Sequence, residues 1–173
     1  MPAPGPTSFI DAVDEWNEPV GLVPRGEVFE RRSNFRTVHV LVFDSDGELL
    51  LQQLAPSRER HPLRWGSSVA GYLHAGESYD DAARRRLLEE LSLDVPAISI
   101  GVVSMVDEGL TKFVGVFTAR ADHPCIGEPG HIARIEFMAP SRVRDDLDQS
   151  PELFTDTLRE VFAFWEKVDG GIS

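Results

Sequence analysis

The chain is short of three things: cysteine, positive charge and long apolar runs. A single cysteine, Cys125, among 173 residues excludes an internal disulfide and implies no oxidising compartment. Lysine and arginine together number 17 against 29 aspartates and glutamates, leaving a net charge of −12. Such a surface lacks the basic face that neutralises nucleic-acid phosphates or holds a protein to anionic lipid. No apolar run approaches membrane-spanning length, and the opening MPAPGPTS has neither the basic nor the apolar block of a signal peptide. A cytoplasmic protein with no nucleic-acid or membrane partner is expected. Acidic chains still bind phosphates through metal or a few placed arginines, so the positions of those arginines matter.

What is present fits one domain. The length, with 42% hydrophobic residues, is enough to bury a core, and residues 9–168 are expected to form it, with residues 1–8 and 169–173 as flexible ends. Val38, Val40 and Val42, interleaved with Leu41 and Phe43, run into Asp44-Ser45-Asp46-Gly47 and then Leu49, Leu50 and Leu51, a hairpin signal. Residues 55–65, APSRERHPLRW, are polar with two prolines and read as a loop of the kind that carries binding groups. Arg58, Arg60 and Arg64 within it are candidate phosphate ligands, while Trp65 reads as core more readily than as a stacking platform.

From Ser78 to Leu93 there is no proline or glycine, Ser78 can cap, and Ala83, Leu87 and Leu91 recur at four-residue spacing, which predicts an amphipathic helix. Ile98, Ile100 and Val102, then Phe113 to Phe117, then Ile132 to Met138 predict three further strands. Phe154, Leu158, Val161, Phe162 and Trp165 form a helical stripe after Ser150-Pro151. This order implies an α+β fold, a mixed sheet flanked by helices.

The segment that carries chemistry is residues 71–93, GYLHAGESYDDAARRRLLEELSL. Arg85 and Glu89, and Arg86 and Glu90, stand four residues apart on a predicted helix, away from Leu87 and Leu91. The plain reading is a solvated face whose ion pairs contribute a few tenths of a kcal/mol each. The spacing of Gly71, Glu77, Arg85, Leu87, Glu89, Glu90 and Leu93, however, resembles the Nudix box: Gly, five residues, Glu, seven residues, then Arg-Glu-apolar-x-Glu-Glu-x-Gly-apolar.

That resemblance implies an α/β/α sandwich in which Glu77, Glu89 and Glu90 hold Mg²⁺, or Mn²⁺, against a diphosphate, and in which Arg85 braces the loop. The implied activity is hydrolysis of a phosphoanhydride in nucleoside di- or triphosphates or other nucleoside diphosphate derivatives, so the partner is a small molecule. Two slots depart from the pattern. Ser92 replaces the last glycine, and Arg86 stands where a metal-binding glutamate is usual. With that glutamate gone, the candidate general bases are Glu77, Glu108, Glu128, Glu136 and His131.

DAVDEWNEPVG near the start, the loop before Trp65 and the paired arginines are similar to the isopentenyl-diphosphate isomerase branch of the superfamily. This implies that Arg86 reaches the substrate diphosphate, a role suited to a planar, permanently charged fork. Isomerisation itself is not expected. Ala70 stands where that reaction's cysteine would be, Phe35 and Tyr72 where histidines would be, and Leu110 and Lys112 near its later glutamates. A silent nucleotide-binding module and an isoprenoid diphosphate hydrolase are the competing readings.

Overall fold

In the computed structural model, which describes residues 8–168, the strand at the centre of the sheet is β3, Phe35–Phe43, whose residues are nearly all buried. It reads as a continuous apolar run because both of its faces are covered. Val38, Val40 and Val42 face one core with Leu50, Val69 and Phe117, whereas Leu41 and Phe43 face another with Leu49, Leu51, Val114 and Val116. The first core is closed by helix α1, Tyr79–Leu91, through Ala82, Ala83, Leu87 and Leu91. The second is closed by α2, Pro140–Gln149, through Val143 and Leu147, and by α3, Asp156–Val168, through Leu158, Val161 and Phe162. The result is the expected sandwich of helix, mixed sheet and helices.

Around β3 lie β4 (Leu49–Leu54), β5 (Trp65–Gly66), β6 (Val69–Tyr72), β7 (Ile98–Asp107), β8 (Leu110–Arg120) and β9 (Ile132–Met138). Among the described residues they form a seven-stranded sheet ordered β5-β4-β3-β8-β7, with β6 paired to β3 and β9 to β4. β8 runs parallel to β3; the other pairings are antiparallel. The expected hairpin of β3 and β4 is joined only at Phe43 and Leu49, because β6 takes over the same edge of β3 from Thr37 to Val40. That fork between β4 and β6 is where the chemistry sits. β7 is the outer rim, with a bulge between Ser99 and Gly101 and with Ile98, Val102 and Val106 exposed.

Two strands that the sequence pattern leaves unmarked, β1 (Phe9–Val13) and β2 (Pro19–Pro24), make a separate antiparallel pair. They pack on a small third core of Ile10, Val23, Val28, Phe35 and Leu110. The flexible ends expected at 1–8 and 169–173 fall outside the described residues, apart from Ser8. No helix among the described residues is long and apolar enough to cross a membrane.

Candidate functional site

Helix α1 starts where Ser78 accepts a hydrogen bond from the Asp81 N–H, with Asp80 and Asp81 in the first turn. It ends at Leu91, two residues before the expected limit, because Ser92 takes a left-handed conformation (φ 56°) and its N–H caps the Leu87 and Leu88 carbonyls. Ser92 thus performs the turn that a glycine makes at lower cost. Buried Leu87 and Leu91 anchor the helix, each contributing about 1.5–3 kcal/mol.

The charged side of α1 is not a solvated face. Arg86 and Glu90 are 6% and 5% exposed, so the picture of ordinary surface ion pairs fails. Arg86 lies against β6 because position 71 is glycine: a β-carbon there would come within 2.5 Å of Arg86 Nε. Its guanidinium reaches three carboxylates. Nη1 donates to Glu89 Oε2 at 2.6 Å and to Glu128 Oε1 at 2.8 Å, and Nη2 donates to Glu90 Oε1. Glu90 Oε2 accepts from Gln52 Nε2 at 3.0 Å and from the Ala70 N–H at 3.2 Å, which fastens it across the fork between β4 and β6.

Arg85 ties the loop to the helix. Nε and Nη2 donate to the two oxygens of Glu77, each at 2.8 Å, Nη2 also donates to the Tyr72 carbonyl, and Nη1 donates to Glu89 at 3.2 Å. The His74 N–H gives Glu77 a further hydrogen bond. Both oxygens of Glu77 accept from Arg85, which links Glu77 in the loop to Glu89 on the helix. Among the described residues no group of three or more His, Cys, Asp or Glu side chains is arranged to hold a metal.

The residue that does join Glu89 and Glu90 is Glu128, from the loop before β9. That loop docks on the end of α1 through Cys125 N–H to the Leu91 carbonyl at 3.0 Å and Gly127 N–H to the Glu90 carbonyl at 2.7 Å. A β-carbon at 127 would overlap the Glu89 carbonyl oxygen, so only glycine allows this approach. The other candidate bases lie elsewhere. Glu108 is exposed in the turn after β7, Glu136 pairs with Arg134 at 2.8 Å, and His131 is exposed, its carbonyl accepting from the Ala55 N–H.

Electrostatics follow from this packing. Four carboxylates, Glu77, Glu89, Glu90 and Glu128, face two guanidiniums, an excess of negative charge that suits a hard cation with oxygen ligands. Burial pushes the Glu90 carboxyl above the ordinary carboxylate range, with Arg86, the Ala70 N–H and Gln52 pulling the other way. Burial also works against the Arg86 charge, but Glu90, Glu128 and Glu89 outweigh it and hold the guanidinium protonated. For Glu77, the effect of burial is overcome by Arg85 and the His74 N–H, so its carboxyl titrates below its usual range.

The loop arginines divide. Arg58 is within electrostatic reach of Glu90, Glu128, Arg25 and Arg86, beside the acid cluster. Arg60 is committed to Asp107 at 2.7 Å and lies over the Phe29 ring at 4.6 Å. Arg64 supplies its carbonyl to the Leu54 N–H. Trp65 is half-buried against the second core, with Arg134 stacked on it at 5.1 Å. Behind the fork, Lys112 is 7% exposed and donates to Asp107 at 3.1 Å and Thr157 Oγ1 at 2.6 Å.

Residues 33–158 match the model of the NUDIX domain. This chain belongs to the Nudix family. A Nudix hydrolase of Deinococcus radiodurans is 30% identical, with 78% of this chain and 80% of that protein covered. An isopentenyl-diphosphate Delta-isomerase of Nocardia farcinica is 34% identical over 88% of this chain and 91% of its own length. The crystal structure of DR0079 from Deinococcus radiodurans has a TM-score of 0.80 at 26% identity, covering 90% of this chain and 98% of that one. Family membership carries hydrolase activity in general terms, and the site residues described above lie within the matched Nudix segment.

Proposed function

We propose that this Nudix protein hydrolyses a phosphoanhydride bond in nucleoside di- or triphosphates, or in other nucleoside diphosphate derivatives, with Mg²⁺ or Mn²⁺. The observation that carries this reading is the convergence of Glu89, Glu90 and Glu128 on the Arg86 guanidinium at the fork of the sheet, from a helix and a loop far apart in sequence. Their donors are oxygens, the chemistry a hard divalent cation takes, and Glu89 and Glu90 would supply its carboxylates. Such an ion, when bound, offsets charge on the phosphates and acidifies a water.

The chain's own groups supply the rest. Arg58 and Arg86 offer guanidinium forks to phosphate oxygens, with Arg60 and Arg64 farther along the same loop. Glu128 is assigned to take a proton from the attacking water, since among Glu108, Glu128, Glu136 and His131 it is the one paired with Arg86, while Arg85 holds both oxygens of Glu77. Arg85 holds Glu77 and Glu89, and so keeps the loop and the helix in one geometry. The isomerase name of the Nocardia relative is not carried over. Ala70 supplies no thiol, Phe35 stacks on Tyr72 at 5.4 Å, and Lys112 stands beside Phe35 in register, so apolar and cationic groups fill the place where the resemblance calls for histidines and glutamates.

The test is product release from nucleoside di- and triphosphates, sugar nucleotides and isopentenyl diphosphate, with Mg²⁺, with Mn²⁺ and with chelator. Metal-dependent turnover of a nucleotide is expected, reduced about 100-fold or more by Glu90→Gln. Nucleotide binding without turnover on any substrate would favour a silent binding module instead. Turnover of isopentenyl diphosphate alone would move the substrate class to isoprenoids.

A further inference from the structure

Among the described residues, Arg86 is the one side chain that touches all three carboxylates of the cluster, and it does so from a buried position. Its stem is held against the sheet. Glycine at 71 lets its stem lie flat on β6, and the loop seated by Gly127 brings Glu128 to the same nitrogen that Glu89 uses. The guanidinium therefore takes one oxygen from each of the three carboxylates. Two cations cannot share those oxygens without strong mutual repulsion at close range. Metal arriving alone has to compete with a covalently attached cation that is already paired.

Resting on the assigned reaction, we propose that Arg86 is a resident cation exchanged for metal. In the ligand-free protein it holds Glu89, Glu90 and Glu128 together, and an anionic diphosphate draws its fork away so that metal and substrate bind as a unit. A diphosphate is suited to this exchange because its oxygens match the guanidinium fork as well as carboxylates do. The freed Glu89 and Glu128 oxygens then face the metal and the attacking water. The consequence is positive coupling. Metal raises the affinity for diphosphate, and diphosphate raises the affinity for metal by the same factor.

Mn²⁺ binding followed by electron paramagnetic resonance tests this with methylenediphosphonate as a diphosphate that is not hydrolysed, corrected for the chelate the two form in solution. Wild-type protein is expected to bind Mn²⁺ weakly alone and about tenfold or more tightly with the bisphosphonate, with the reciprocal gain seen by calorimetry. Arg86→Gln is expected to bind Mn²⁺ alone about tenfold more tightly than wild type and to lose most of the coupling. Equal Mn²⁺ affinity of the wild type with and without bisphosphonate overturns the exchange, as does unchanged affinity in a folded Arg86→Gln. If that variant does not fold, the wild-type comparison still decides. These outcomes are independent of turnover: a protein that shows the coupling and hydrolyses no nucleotide loses only the assigned reaction.

Discussion

Glu128 comes to α1 from 42 positions along the chain from its partner Arg86. If, as proposed, its carboxylate takes the proton, Glu128→Gln is expected to lower kcat by about 10²- to 10⁴-fold with little change in KM. An unchanged kcat in steady-state kinetics would assign the base elsewhere. At this scale the sequence was legible where spacing alone decides. Gly71, Glu77, Arg85, Glu89 and Glu90 stand in a pattern that a helix and its preceding loop turn into proximity, and the Arg85 clamp follows directly. It was not legible that Arg86 and Glu90 are buried, because a helical wheel shows charge but not the strand edge that covers it. Glu128 carried no local signal that separated it from Glu136 or His131. The one available hint was Gly127 beside it, and a glycine in a loop has many other uses.

Gly127 is a requirement of the loop before β9 as a whole. Alanine there collides with backbone, which cannot give way as a flexible side chain does, so the loop must lift from α1. Gly127→Ala is therefore expected to keep the fold, to cut turnover about 100-fold by displacing Glu128, and to speed hydrogen exchange at the 125 and 127 amides. Native-like exchange at both amides would show that the loop does not move. Among the elements, α1, α3, β3 and β7 to β9 were marked by periodicity long enough to read. The short ones were not. β6 has four residues, β5 two, and α2 buries only Val143 and Leu147, too few for a stripe. The forking of β3 between β4 and β6 was also hidden, because an apolar strand pairs equally well along its whole length until its neighbours are known.

At the scale of the whole molecule, the buried basic group His39 ties stability to pH. His39 lies inside the sheet, its Nδ1 2.8 Å from Ser67 Oγ, and burial, with Lys112 nearby, lowers its pKa from 6.5 to about 3. The unfolded chain takes up this proton below pH 6.5 and the folded chain only near pH 3, so acidification across that window favours unfolding. His39 alone is expected to remove about 1.4 kcal/mol of stability per pH unit in the middle of the window. Denaturant melts of wild type and His39→Gln between pH 7 and 4 check this: the variant, where it folds, should show the shallower decline, and parallel curves would exclude His39 as the source. The net charge of −12 was plain from composition, whereas a buried histidine in an apolar strand reads as core and gives no sign of its neighbour Lys112. The rim strand β7 closes the account of the sheet as a body among other bodies. Among the described residues it ends the sheet and presents Ile98, Val102 and Val106, the kind of margin along which chains add to one another. The bulge between Ser99 and Gly101 puts a step in that margin, so a foreign strand laid alongside loses register after a few residues, and the margin resists templating further sheet.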